Sequence, residues 1–166
     1  MKIVYIDSQN IHKWILEYHK WIIDWWKFYI YLQDKYKINK VKIFFWYLKE
    51  QRWFYHKLRN IWYDVCFKET LVLPNWNIKG NVDIDIAIIA LRDYYEKYVS
   101  EAFLVTWDWD FNSLVYFWIE KDIFWKIFIP WVKNSSILLK KIAKNNIIDL
   151  SEMKKKLKKE KPSYKT

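Results

Sequence analysis

The chain is short of glycine, proline and cysteine: its 166 residues include one, three and one of these. A single glycine excludes the glycine-rich loops that bind nucleotide phosphates, and no Walker loop or GxSxG elbow occurs. A single cysteine, Cys66, cannot form an internal disulfide, and we interpret it as a small core residue in a reducing compartment. With no CxxC or HExxH pair, the common zinc motifs are excluded as well.

Long apolar runs are also missing. Uncharged runs do not exceed about nine residues, whereas a membrane-spanning helix needs about 20. The first residues, MKIVYID, lack the apolar core of a signal peptide. We therefore expect a soluble cytoplasmic protein that does not enter a membrane.

Positive charge is concentrated at the carboxyl end. The net charge is +10, and residues 151–166 carry seven lysines against two glutamates, which is about half of the excess. Such lysine clusters are typical of solvated tails, and they also make sequence-independent contacts to phosphates. We predict one domain over residues 1–150 and a flexible lysine-rich tail over 151–166. The lysines of the tail favour a polyanionic partner without identifying it.

Short apolar segments alternate with helical patterns along the predicted domain. The apolar segments are rich in β-branched and aromatic residues and lie at 2–6, 41–47, 63–67, 102–106, 126–130 and 147–150. Amphipathic patterns lie between most of them, at 24–36, 50–60, 82–98, 112–121 and 134–144. Strands that are apolar on both faces and alternate with helices indicate a parallel sheet covered on both sides. The sequence predicts an α/β fold, a three-layer α/β/α sandwich with a central, mostly parallel sheet of five to six strands.

Aspartates stand where predicted strands end or helices begin. Asp7 ends the first strand, Asp83 opens a helix, and Asp108 and Asp110 follow the fourth strand. Each alone is typical of a turn or a helix cap. Because open parallel sheets bind ligands beyond the carboxyl ends of their strands, three acidic segments at that edge indicate a metal site.

The segment VDIDIAI at 82–88 alternates as a strand would, but its continuation into IALRDYYEKY favours a helix. In a helix, Asp83 and Asp85 diverge by about 200° and cannot both face one site. We therefore expect Asp83 to point toward the sheet edge, and Asp85 is a secondary candidate.

Crowded carboxylates repel one another unless a cation neutralises them. Mg²⁺ or Mn²⁺ is the natural cation, since these ions take carboxylate oxygens and bridge them to substrate phosphates. A metal-bound water can then be placed in line with a phosphodiester bond, so the predicted chemistry is phosphodiester hydrolysis. Asn10 and Thr106 could orient the water or the phosphate, and Asn10 could equally cap the helix that follows.

Six stretches along nearly the whole chain match the patterns of one family. They are YIDSQNIHK at 5–13, IFFWYLKEQRWFYHKL at 43–58, IWYDVCFK at 61–68, IKGNVDIDIAI at 78–88, LVTWDWDFNSLV at 104–115 and SSILLKKIA at 135–143. The family pattern is an aspartate with a downstream asparagine after the first strand, then KGxVDxD, then (S/T)GDGDF. In these features the chain resembles the NYN domain, in the LabA-like branch of the PIN-type nucleases.

This resemblance implies a PIN-like fold and a divalent-metal-dependent endoribonuclease that uses Mg²⁺ or Mn²⁺. The motif positions of the acidic cluster, which imply catalytic and metal-binding roles, are occupied by Asp7, Asp83, Asp108 and Asp110. Asn10 lies beside them, and Asp85 also matches KGxVDxD. Lys79 and the lysine tail would attract the phosphate backbone of a single-stranded RNA.

Two other functions remain open at this point. The resemblance also permits a regulatory or RNA-binding protein with little or no catalytic turnover. Acidic pairs at strand ends recur on many α/β scaffolds, so a different phosphotransfer or phosphatase fold is a third hypothesis. The first strand ends in IDSQN instead of DxD, which disfavours a haloacid-dehalogenase-like phosphatase.

The chain departs from the family where glycine is expected. Trp107 and Trp109 replace the glycines of GDGDF, and Trp62, Trp76 and Trp125 fall at turns or helix-to-strand joints. Average usage predicts about 12 glycines in a chain of this length, whereas this one has 1 glycine and 13 tryptophans. We hypothesise that the gene comes from an organism that reads UGA as glycine, and that it was translated with a table that reads UGA as tryptophan. Indoles at 107 and 109 would crowd the cleft, so we expect the chain as written to be a poor nuclease.

Overall fold

The computed structural model describes residues 1–68, 71–72, 78–79, 82–97, 99–134 and 137–160, with the backbone alone for 9, 10, 71, 72, 78, 79 and 134. Within these residues the strands, named β1 to β8, are Lys2–Asp7, Lys40–Trp46, Tyr63–Lys68, Leu71–Val72, Ile78–Lys79, Glu101–Val105, Phe124–Ile129 and Ile147–Asp149. The α-helices, named α1 to α7, are Ser8–His19, Trp25–Tyr36, Arg52–Asn60, Val82–Lys97, Asn112–Glu120, Ile137–Ala143 and Lys154–Leu157.

Six of the strands form one parallel sheet in the order β3-β2-β1-β6-β7-β8. The chain starts in the middle with β1, builds outward through β2 and β3, and then returns to the other side of β1 with β6. β4 and β5 form a separate antiparallel pair, which the sequence pattern did not indicate. The predicted α/β fold with a central parallel sheet is confirmed.

Helices cover both faces of the sheet, because alternate side chains of each strand point to opposite faces. Val4 and Ile6 of β1 belong to the core beneath α1, α2, α3 and α7. Ile3 and Tyr5 belong to the core beneath α4, α5 and α6. Burial on both faces explains why these strands are almost continuously apolar in sequence. No helix within the described ranges is long and apolar enough to cross a membrane.

One charged cluster is buried between α4 and the sheet. Asp93 of α4 and Lys42 of β2 are both buried, and Lys42 Nζ lies 2.7 Å from Asp93 Oδ2. The Tyr5 hydroxyl donates to the same oxygen at 3.1 Å, and Lys97 Nζ donates to Asp93 Oδ1 at 2.7 Å. These contacts satisfy the buried carboxylate and fasten α4 to β1 and β2.

The charge of Asp93 should make stability depend on pH. Burial alone would raise the pKa of Asp93, but hydrogen bonds from Lys42 and Lys97 outweigh it and hold this pKa below its ordinary value. Such a carboxylate stabilises the folded state above its ordinary pKa, and this stabilisation is lost as the pH falls through the lowered pKa. We expect the difference in free energy of unfolding between the unaltered chain and Asp93→Asn to shrink from neutral pH to about pH 3. Urea titrations of both chains at several pH values measure this difference in free energy, and a difference that stays constant would contradict this expectation.

The carboxyl-terminal segment packs on the domain as far as residue 160, where a flexible tail was expected. Leu157, an apolar residue among the lysines, is fully buried. The Asp24 N–H donates to the Leu157 carbonyl at 2.8 Å, and the Lys159 N–H donates to the Ile22 carbonyl at 2.9 Å. The rest of the predicted tail, residues 161–166, lies outside the described ranges.

Several tryptophans have unfavourable surroundings. Trp62, between α3 and β3, has a φ of 74° and is 67 % exposed, in the left-handed region that favours glycine. Trp21 and Trp46 have buried indole N–H groups with no hydrogen-bond partner within the described structure, although a buried indole usually finds one. By contrast, Trp25 and Trp118 are buried in the two cores and pack on tyrosine rings.

Candidate active site at the carboxyl edge of the sheet

The direction in which the chain adds strands to the sheet reverses between β1 and β6. β1 pairs with β2 on one side and with β6 on the other. The carboxyl ends of β1 and β6 therefore lie at the switch point where open parallel sheets bind ligands, and we call the space beyond them the crevice. Asp7 is the last residue of β1, and Thr106 directly follows β6.

Asp7 and Thr106 are in direct contact at this crevice. Both are almost fully buried, and Thr106 Oγ1 donates to Asp7 Oδ2 at 3.0 Å. Asp7 precedes α1 in the capping position, but its side chain makes no capping hydrogen bond to that helix. Its carboxylate is held toward β6, which argues against the interpretation of Asp7 as a simple helix cap.

Thr106 also holds the loop that carries the other two aspartates. The Asp108 N–H donates to Thr106 Oγ1 at 3.0 Å, and the Asp110 N–H donates to Asp108 Oδ1 at 2.9 Å. Asp108 is half-buried and Asp110 is exposed. The Thr106 hydroxyl donates its proton to Asp7 and accepts a hydrogen bond from the Asp108 N–H. It therefore links Asp7 to this loop.

Trp107 and Trp109 flank Asp108 in the same loop. The Trp107 ring packs on Trp14 of α1 with 4.0 Å between ring centres. Trp109 is 53 % exposed. One indole thus fills the space between the loop and α1, and the other lies largely in solvent.

Asp83 and Asp85 have different surroundings, as expected for neighbours two positions apart on a helix. Asp83 lies in the first turn of α4 and is half-buried. Asp85 Oδ1 lies 2.7 Å from Nζ of Lys68, the last residue of β3. Asp85 is therefore paired with a residue of β3, which lies two strands away from β1 in the sheet.

Two candidate site residues, Asn10 and Lys79, lie partly outside the described structure. The backbone of Asn10 lies in α1, which begins at Ser8, so Asn10 does not occupy the capping position. The backbone of Lys79 lies in β5. The side chains of Asn10 and Lys79 are not described, and Trp76 falls outside the described ranges entirely.

Carboxylate oxygens of the kind found at this crevice suit a hard divalent cation. Among the described residues, no three His, Cys, Asp or Glu side chains lie close enough together to form a metal-binding group. A preassembled triplet is not required for Mg²⁺, because this ion commonly takes one or two carboxylates and completes its shell with water and substrate phosphate. Asp7 and Asp108 are both linked to Thr106, whose hydroxyl contacts the carboxylate of Asp7 and the backbone N–H of Asp108.

A groove lies beside this crevice, between α1, α2 and α3, and the sequence patterns gave no sign of it. The groove has a volume of about 930 Å³ and extends to Ser8. Its lysines, Lys13, Lys57 and Lys159, come from distant parts of the chain, so no local pattern could have grouped them. Cys66 offers no additional nucleophile, since burial raises the pKa of its thiol to about 11.

A solved structure shares this fold, and a family model matches most of the chain. A protein of unknown function from Vibrio parahaemolyticus has a similar structure, with a TM-score of 0.74 and 22% identity over 90% of this chain and 91% of that chain. That likeness concerns the fold alone, and no curated protein shows significant similarity. The NYN domain, which belongs to the PIN-like nuclease superfamily, matches residues 2–151. The chain therefore belongs to the NYN domain family.

Proposed function

We propose that this protein is a divalent-metal-dependent endoribonuclease of the LabA-like branch, with its active site at the carboxyl ends of β1 and β6. The observation that carries the proposal is the hydrogen-bonded series from Asp7 through Thr106 to Asp108 at the crevice between these strands. It brings together two acidic motifs that are about a hundred residues apart in sequence. Membership of a nuclease superfamily supports the same chemistry.

Mg²⁺ or Mn²⁺ would be held by Asp7 and Asp108, with Asp83 and Asp110 completing the acidic surroundings. When bound, such a cation lowers the pKa of a coordinated water and stabilises negative charge on phosphate oxygens. Thr106 keeps the carboxylate of Asp7 turned toward the crevice and fixes the backbone of Asp108. Asp110 is exposed in the same loop, and its proposed role is to meet the substrate from the solvent side.

A cleavage assay with three substrates tests this function. The protein is incubated with a labelled single-stranded oligoribonucleotide, the same DNA sequence, or p-nitrophenyl phosphate, each with Mg²⁺, Mn²⁺ or EDTA. We expect internal cleavage of the RNA with either metal ion and none with EDTA, and faster cleavage by the chain with Trp107→Gly and Trp109→Gly than by the chain as written. Hydrolysis of the phosphomonoester alone would contradict the proposal and favour a phosphatase.

One observation favours a second candidate, an RNA-binding NYN protein without turnover. One oxygen of Asp7 accepts a hydrogen bond from Thr106, and one oxygen of Asp108 accepts from the Asp110 N–H, so each carboxylate already has a partner within the protein. RNA binding that is unchanged by EDTA, together with no cleavage of any RNA in either metal ion, would favour this candidate over the first.

We also propose that several tryptophans are glycine in the cell. The left-handed backbone at Trp62 and the unpaired indole N–H groups of Trp21 and Trp46 support this idea. Glycine at 107 and 109 would remove the ring that packs against α1 and the exposed ring beside Asp110. The codons decide the question directly: UGA at 62, 76, 107 and 109 is expected, and UGG at these positions would contradict it.

Trp62→Gly should stabilise the chain. A non-glycine residue in the left-handed region costs about 1–2 kcal/mol, and glycine removes most of this cost. We expect the free energy of unfolding to rise by about 1 kcal/mol, measured by urea denaturation. Trp118→Gly, at a buried helical position, is the control and should lose at least about 3 kcal/mol. A Trp62→Gly variant that is clearly less stable would identify the indole as native.

A further inference from the structure

We propose that the groove between α1, α2 and α3 binds a stretch of single-stranded RNA whose continuation enters the acidic crevice; this inference rests on the ribonuclease function proposed above. The groove reaches the same sheet edge as the crevice. Ser8, which follows Asp7, lines it, and so do Phe45 and Trp46 at the end of β2. A strand leaving the crevice over the ends of β1 and β2 would therefore enter the groove.

Three lysines from separate elements surround the groove. Lys13 comes from α1, Lys57 from α3, and Lys159 from the carboxyl-terminal segment. All three are exposed, and within the described residues none of their ammonium groups pairs with a carboxylate, whereas Lys27 nearby pairs with Glu160 at 2.6 Å. Lys57 Nζ lies 4.0 Å from the centre of the Trp53 ring. Unpaired cations on several sides of one groove favour an anionic ligand with repeated charges.

The groove contains little negative charge to oppose such a ligand. Among its described lining residues, Asp24 is the one carboxylate. Asp24 Oδ1 caps α2 by accepting hydrogen bonds from the backbone N–H groups of Trp26 and Lys27, at 3.0 and 3.2 Å. Its charge is thus partly offset by the amino end of the helix.

The anchored carboxyl-terminal segment makes one wall of the groove. Lys158 forms a β-bridge with Ile23, and the Lys159 backbone is hydrogen-bonded to Ile22. Lys159 is therefore held in place before any ligand arrives, which reduces the ordering cost of binding.

The apolar lining favours a single strand over a duplex. The exposed ring of Trp53 and the half-buried ring of Phe54, both on α3, lie among the lysines, above the buried side chains of Leu58 and Phe45. Proteins that bind single-stranded nucleic acid combine a positively charged groove with aromatic side chains that contact unstacked bases. A duplex keeps its bases stacked inside and would offer this apolar surface nothing to contact.

Binding measured in EDTA tests the groove independently of cleavage. The probe is a fluorescein-labelled 12-nucleotide oligouridylate, and its affinity is measured by fluorescence anisotropy over a range of salt concentrations. The triple variant Lys13→Ala, Lys57→Ala, Lys159→Ala is compared with a control that removes the same charge from exposed lysines outside the groove, Lys121→Ala, Lys133→Ala, Lys141→Ala.

We expect the groove variant to lose at least about ten-fold in affinity and about 2 units of slope in log K against log salt, since each phosphate contact on a single strand contributes about 0.7. The control variant should bind nearly as tightly as the unaltered chain. Equal losses in both variants, no binding by the unaltered chain, or equally tight binding of a 12-base-pair RNA duplex would overturn the proposal. Groove-dependent binding without cleavage in Mg²⁺ would support the groove while contradicting the ribonuclease function.

Discussion

Asp7→Asn is expected to reduce divalent-metal-dependent RNA cleavage by at least about a hundred-fold, the usual effect of removing one preorganised electrostatic group from an active site. Asparagine keeps the size of the side chain and can still accept the hydrogen bond from Thr106, so the crevice should keep its shape. What it loses is the negative charge at the end of β1. Initial rates with a labelled oligoribonucleotide in Mg²⁺ measure the effect, and circular dichroism shows whether the variant is folded.

Asp85→Asn is the matched control for this experiment. Asp85 belongs to the same KGxVDxD segment as Asp83, but its carboxylate pairs with Lys68 at 2.7 Å. We expect its cleavage rate to stay within about three-fold of the unaltered chain, as for a partly exposed ion pair outside the site. Equal losses in the Asp7 and Asp85 variants would show that the crevice between β1 and β6 is not the catalytic centre.

Asp93→Asn is expected to lower the free energy of unfolding by about 3–5 kcal/mol, because it leaves the buried ammonium group of Lys42 without its carboxylate. Lys42 and Asp93 are almost inaccessible to solvent, and Tyr5 and Lys97 donate to the same carboxylate. Urea denaturation at neutral pH measures the loss. The double variant Lys42→Met, Asp93→Leu removes both charges and should recover much of the stability.

The exposed pair between Lys40 and Asp64 provides the control for the buried one. Its atoms are 2.9 Å apart on neighbouring strands, but the two side chains are 41 % and 38 % exposed. Asp64→Asn should therefore cost less than about 1 kcal/mol. If Asp64→Asn and Asp93→Asn cost the same, the buried cluster does not fasten α4 to the sheet.

Much of the fold follows from local patterns in the sequence. The strands are buried on both faces, so they appear as apolar runs, and the helix after residue 81 is identified by its continuation beyond VDIDIAI. The β4–β5 pair has only two residues in each strand, too few to produce a periodic pattern. The carboxyl-terminal anchor rests on one apolar residue, Leu157, whose burial depends on a surface that exists only in the folded chain.

The candidate site was predictable to a smaller extent. Strand ends and family motifs indicated Asp7, Asp108 and Thr106, because parallel strands bring their carboxyl ends to one edge. The role of Thr106 as a link between Asp7 and the Asp108 loop depends on two hydrogen bonds that no pattern encodes. Lys42 and Asp93 are 51 residues apart, and their pairing was hidden for the same reason. One signal was present, namely a lysine inside the apolar run VKIFF.

Binding of Mn²⁺, followed by the loss of the free-ion signal in electron paramagnetic resonance, tests the central claim most directly, because it needs no knowledge of the RNA target. The unaltered chain, the chain with Trp107→Gly and Trp109→Gly, Asp7→Asn and Asp85→Asn are titrated in parallel. We expect saturable binding by the first two and by Asp85→Asn, and its loss in Asp7→Asn. Binding that survives Asp7→Asn unchanged, or no binding by either form that retains Asp7 and Asp108, would contradict a metal-dependent centre at the ends of β1 and β6.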